Sequence, residues 1–161
     1  MAVVHGDGLE AVTRWLSASD GTSAVVHVDP FDPDAQNTAG VSALTLSAQI
    51  IRSGQMLVYW YGYDEPAETA WAYRTLRSLS GGRPLWCGDM MITDSTGAGS
   101  IGDLGVATTP GTGCGVILAN VNAQTTTVCE RLGIALARAY TNTTLPSGGS
   151  GGVRFNVLCE L

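Results

Sequence analysis

Short apolar runs and stretches of helical period alternate along this chain, and that alternation limits the folds open to it. The runs AVVHV (24–28), QMLVYWY (55–61), LWCGDMMI (85–92) and CGVILANV (114–121) have the length and the β-branched or aromatic content of strands. Before the first run and between the first three, apolar residues recur every third or fourth position. Leu9, Val12, Trp15 and Leu16 share one face of a helix predicted from Leu9 to Leu16. Val41, Leu44, Ala48 and Ile51 do the same from Val41 to Arg52, where Gly54 ends the pattern. Ala70, Tyr73, Leu76 and Leu79 mark a third helix from Pro66 to Leu79, with proline in the first turn where it is tolerated. A fourth helix is predicted from Thr125 to Tyr140.

A strand at Val3 to His5 is expected before the first helix. An alternating strand at Val153 to Leu161 closes the chain, with Phe155, Val157 and Cys159 on one side. Thr93 to Gly113 reads as a long Gly/Ser/Thr loop and Thr143 to Gly152 as a flexible segment. The pattern predicts a single α/β domain over residues 1–161, with a mostly parallel, Rossmann-like sheet and helices on both faces. The 161 residues suffice for a real core.

Charge narrows the partners. Fourteen acidic residues stand against eight basic ones, every one an arginine, for a net charge of −6. Nucleic-acid affinity comes largely from neutralising phosphates, so no nucleic-acid partner is expected. The absence of lysine excludes a lysine Schiff base and a P-loop. No apolar run reaches the roughly 18 residues of a membrane helix, and MAVVHGDGLE has no features of a signal peptide, so no membrane partner and a cytoplasmic location are expected. Cys87, Cys114, Cys129 and Cys159 form no CxxC pair, and His5 and His27 are far apart, so no metal site is expected.

In a parallel sheet, ligands sit beyond the carboxyl ends of the strands. Three loops converge there by this reading: Gly6-Asp7-Gly8, Asp29 to Asp34, and Trp60 to Glu65. The second, DPFDPD, holds three acids in six residues. Asp29 and Asp32 are candidate catalytic carboxylates, against the alternative of an Asx turn stiffened by prolines. His27 lies two residues from Asp29 and so on the same strand face, a candidate proton shuttle or else a core histidine. Trp60, Tyr61 and Tyr63 are candidate walls of an aromatic pocket, with Phe31 as a stacking face. Arg14 or Arg52 could pair with a substrate carboxylate. Asp7 either faces a ligand or caps the helix beginning at Leu9.

The segments VVHGDGLEAV, AVVHVDPFDP, QMLVYWYGY and GTGCGVILANVNAQTTTVCERL, in that order, resemble the later part of the ribosomal-RNA adenine-N6 methyltransferase family typified by RlmJ. The resemblance implies a DPPY-type role for Asp29, Pro30 and Phe31. The carboxylate and the proline carbonyl would accept hydrogen bonds from an amine, and the aromatic would stack on its ring. Here the tetrad reads Asp29-Pro30-Phe31-Asp32, and no GxGxG turn occurs near the start, so poor binding of S-adenosylmethionine is implied. The layout also resembles the bacterial Pictet–Spenglerases of the McbB (marinacarboline) type, small acidic enzymes that join a tryptophan-type amine to an aldehyde. That resemblance implies a small-molecule biosynthetic enzyme without a cofactor, acting on an aromatic amine and an aldehyde. The alternatives are a methyl-donor-dependent amine methyltransferase, or its C-terminal portion, and a non-catalytic domain that binds a ligand or partner. A methyltransferase sheet without its first two strands leaves an edge exposed, so a homodimer is expected.

Overall fold

A computed structural model describes residues 6–18, 22–92, 99–100, 107–108, 113–141 and 152–160. The expected strand at Val3 to His5 and the segment from Thr143 to Gly151 lie outside them. The elements in chain order are α1 (Gly8–Ala18), β1 (Val25–Val28), α2 (Ala43–Arg52), β2 (Met56–Tyr63), α3 (Trp71–Leu79), β3 (Leu85–Ile92), β4 (Gly99–Ser100), β5 (Ala107–Thr108), β6 (Gly113–Ala119), α4 (Ala123–Thr141) and β7 (Val153–Glu160).

Local chemistry sets the boundaries. The Ser42 hydroxyl accepts from the Thr45 amide and the Thr45 hydroxyl accepts from the Ser42 amide, a reciprocal cap that starts α2 two residues after Val41. The helix expected from Pro66 is split in two. A 3-10 turn covers Pro66–Glu68, and Ala70 takes a left-handed φ of 58° before α3 begins. Asn120, at φ 56°, ends β6 before Val121, and its side-chain amide donates to the carbonyls of Ile51 (3.0 Å) and Gln55 (2.7 Å). β2 runs on through Gly62 and Tyr63, residues expected in a loop.

The sheet is mixed, which corrects the expectation of a mostly parallel one. Its order is β1-β2-β6-β3-β7, and β1–β2 is the one parallel pair among the described residues. Parallel neighbours need a crossover, usually a helix, whereas antiparallel neighbours do not. β3 and β6 are joined by a segment in which no helix is described, and its Gly99–Ser100 and Ala107–Thr108 pair antiparallel where a plain loop was expected. β6 inserts antiparallel between β2 and β3.

Strand alternation sorts the side chains between the faces. Leu57, Tyr59, Ile117, Ala119, Leu85 and Cys87 form the core of one face under α2 and α3, with Leu9, Val12 and Leu16 of α1 packed against it. Phe155 points to the opposite face, where it meets Gly133 of α4. Helices thus cover both faces, as the sequence predicts. None of the described helices is long and apolar enough to cross a membrane.

Candidate functional site

A cleft of about 1170 Å³ opens at the end of the sheet where β1, β2 and β3 finish and β6 and β7 begin. Its outer wall is the loop after β1, with Asp29, Pro30, Phe31 and Asp34. Trp60, Tyr61 and Tyr63 contribute from β2, Asp64, Glu68 and Trp71 from the segment that follows, and Met90, Met91 and Cys114 from β3 and β6. Four carboxylates border this space, and no arginine or histidine is found among its described lining residues. The field inside therefore favours a cation.

The floor is built from three neighbouring strands. Asp89 is 0% exposed, and its carboxylate accepts hydrogen bonds from the hydroxyls of Tyr61 (2.6 Å) and Tyr63 (2.7 Å). Tyr61 and Asp89 pair with the same residue of the intervening strand, Gly115, and Tyr63 pairs with Gly113. The tyrosine rings therefore cross over β6 to reach β3. A Cβ at either glycine would collide with them. The Gly-x-Gly of GTGCG is thus a slot for two rings, not a phosphate loop. Tyr61 stacks with Tyr63 at 6.2 Å and meets Trp71 edge-on at 6.0 Å. We expect Gly115→Ala to lower stability by about 1–3 kcal/mol, because the added methyl overpacks the slot; a urea-denaturation midpoint equal to that of the parent would count against it.

Burial dominates the titration of this region. It pushes the Cys87 thiol up to about 12 and raises the Tyr59, Tyr61 and Tyr63 phenols. The Asp89 hydrogen bonds add to the effect on Tyr61 and Tyr63. Burial also raises Cys114. All these groups keep their protons longer in the folded chain than in the unfolded one. Their stabilisation is whole below the ordinary values, 9.0 for the thiols and 10.0 for the phenols. It is lost as pH climbs from there through the folded values, at about 1.4 kcal/mol per pH unit for each group. Denaturation midpoints are expected to hold near pH 8 and to fall steeply above pH ~10. A level profile to pH ~11 would contradict this burial.

Of the residues singled out from sequence, Asp29, Pro30, Phe31, Trp60, Tyr61 and Tyr63 are brought together around the cleft. Tyr61 and Tyr63 are floor residues with their hydroxyls bound to Asp89, and Phe31 and Trp60 are exposed. Five others do not line it. Asp32 accepts from the amides of Asp34 (3.0 Å) and Ala35 (3.1 Å), an Asx turn. Asp7 caps α1 through the amide of Leu9 (2.8 Å). Arg14 pairs with Glu10 on the exposed face of α1 (2.6 Å). His27 pairs in register with Val58 on the exposed side of β1, whereas Val26 and Val28 face the core. Arg52 donates to the carbonyl of Leu79 (2.6 Å), at the far end of α3.

Sequence reasoning reached Asp34 and Asp64 only as members of their loops, and missed Glu68 and Trp71 in the wall and Asp89 beneath the floor. A signal for Asp89 was present. It is the lone charge in the apolar strand LWCGDMMI, and a buried acid needs donors. Among the described residues no cluster of three metal-ligating side chains occurs.

Comparison with solved structures bears on the fold. The crystal structure of protein LPL1258 from Legionella pneumophila str. Philadelphia 1, of the family model DUF519, superposes with a TM-score of 0.55 at 16% identity. The chain is similar in fold to a DUF519 protein. The match covers 94% of this chain but 49% of LPL1258, so this chain spans about half the length of that protein. The likeness is one of fold. No family model and no curated protein matches the sequence.

Proposed function

We propose that the chain is a small-molecule enzyme that condenses a protonated aromatic amine, of tryptamine type, with an aldehyde in a Pictet–Spengler reaction. One observation carries the reading: Asp29, Asp34, Asp64 and Glu68 gather with Trp60, Tyr61, Tyr63 and Trp71 around one cleft that has no basic residue among its described lining. The carboxylates attract the ammonium, and the aromatic walls accept a flat ring and favour a cation over their faces. Asp29 stands at the end of β1 with no hydrogen-bond partner among the described residues, unlike Asp32, so its carboxylate is available for proton transfer.

Proton balance closes on that one residue. Asp29 takes a proton from the ammonium, and the free amine adds to the carbonyl carbon. The nitrogen sheds a proton to the new alkoxide, and Asp29 protonates the resulting hydroxyl, which leaves as water. The iminium cation is stabilised by the surrounding carboxylates. The ring carbon attacks it, forming the C–C bond, and Asp29 takes the ring proton and returns it to the product amine. Tryptamine and phenylacetaldehyde incubated with the protein are expected to give a tetrahydro-β-carboline, detected by mass spectrometry. Product no higher than in a protein-free control would sink the reading.

The fold likeness to a DUF519 protein favours a second reading, an amine methyltransferase portion that uses the same Asp29-Pro30 corner with a cofactor-binding part not in this chain. Calorimetry with S-adenosylmethionine separates the two, since the first expects no heat of binding. We further propose a homodimer through β1, the edge strand of the described sheet. Light scattering is expected to give twice the chain mass, and a clean monomer would count against the dimer.

A further inference from the structure

Tyr59 carries a hydroxyl with no evident use in the core. The side chain is 0% exposed, and its Oη has no hydrogen-bond partner among the described residues. A phenylalanine there would fill the same space without the cost of an unpaired buried donor. The neighbouring phenols are different, because Tyr61 and Tyr63 both donate to Asp89. Tyr59 is also part of the cleft wall, next to Pro33 and Asp34 of the acidic loop.

From this geometry we infer that Tyr59 is the residue that holds the carbonyl component, by donating its hydroxyl hydrogen to the carbonyl oxygen. The inference rests on the condensation proposed above and names the place of its second substrate. Two facts choose the ligand chemistry. A buried O–H requires an acceptor. The carboxylates around the cleft repel an anionic one, so the acceptor is a neutral oxygen, as in an aldehyde. The way in lies under the loop after β1. Asp34 is exposed, and the Pro33 carbonyl receives the Leu44 amide at a long 3.4 Å, so the group reaches Tyr59 by displacing surface loop and not core. A hydrogen bond to the carbonyl oxygen withdraws electron density from the carbon that the amine attacks. The same bond then follows that oxygen as it becomes hydroxyl and departs as water.

The test is Tyr59→Phe, read by the quenching of tryptophan fluorescence, since Trp60 and Trp71 line the cleft. The probes are tryptamine for the amine and phenylacetamide as an unreactive carbonyl. Tyr59→Phe is expected to weaken phenylacetamide about 3–10-fold, the size of one neutral hydrogen bond, and to leave tryptamine unchanged. The melting temperature without ligand is expected to hold or rise, because the substitution removes an unpaired polar group. Unchanged phenylacetamide affinity overturns the inference while intact tryptamine binding keeps the condensation reading alive. A fall of several degrees in melting temperature overturns it too, because the hydroxyl would then have a structural partner. A parent protein that binds phenylacetamide through Tyr59 but not tryptamine supports the carbonyl site and removes the amine reading. One that binds neither removes both.

Discussion

Asp89→Ala is expected to destabilise the fold by about 3–5 kcal/mol, enough to unfold a large fraction of many domains of this size. The carboxylate has two acceptors in use, and both donors are buried with it. Tyr61 is 2% exposed and Tyr63 is 6% exposed. Removing the Asp89 side chain takes the carboxylate acceptor from two phenolic O–H groups, leaving Tyr61 the weak Cys87 sulfur at 3.4 Å, and leaves a gap beside Gly115. A graded series separates these causes. Asp89→Asn keeps an oxygen for one tyrosine and offers an amide where the other needs an acceptor, so a smaller loss is expected. Combining Asp89→Leu with Tyr61→Phe and Tyr63→Phe replaces the whole polar network by apolar groups, and much of the stability is expected to return. Urea midpoints for the three variants give the test. If the triple variant is no more stable than Asp89→Ala, the stranded hydroxyls are not the cause.

Asp29→Asn is expected to lower the rate of condensation by about 10²–10⁴-fold with little change in the urea midpoint. The residue is exposed at the end of β1, so its replacement removes no core packing. The amide cannot take the ammonium proton, protonate the departing hydroxyl or accept the ring proton. Asp32→Asn makes the contrast. Asp32 is engaged by the amides of Asp34 and Ala35, and Asn can still accept from them. Its variant is expected to keep most of the activity. Equal losses for both would move the proton chemistry from one carboxylate to the general negative charge of the loop. If methyl transfer is the true reaction, neither variant changes carboline formation, because the parent makes none.

Much of the candidate site was legible because it lies within single short stretches. DPFDPD announces a carboxylate-rich turn, and YWYGY places aromatics at a strand end. Local motifs also misled. Asp7 and Asp32 look like the other acids in a linear reading, yet each is spent on backbone amides one turn away. His27 obeys the two-residue alternation with Asp29, but the face it occupies is the open one. The strand repeat says which residues share a side and not which side has a lid. Glu68 and Trp71 joined the cleft only because the chain after β2 turns back toward the sheet end, with the left-handed Ala70 between them.

Sequence alone determined the type of the major described elements and most of the helix positions turned inward, because each depends on periodicity and capping over a few residues. It also placed the negative charge at the end of β1. Tertiary structure decided the sheet order. β6 inserts between β2 and β3, and pairing between distant strands leaves no local trace. It also decided the meaning of Asp89 and of Gly113 and Gly115. A buried acid on one strand, two glycines on the next and two tyrosines on the third form one network only when three separate stretches lie side by side in register.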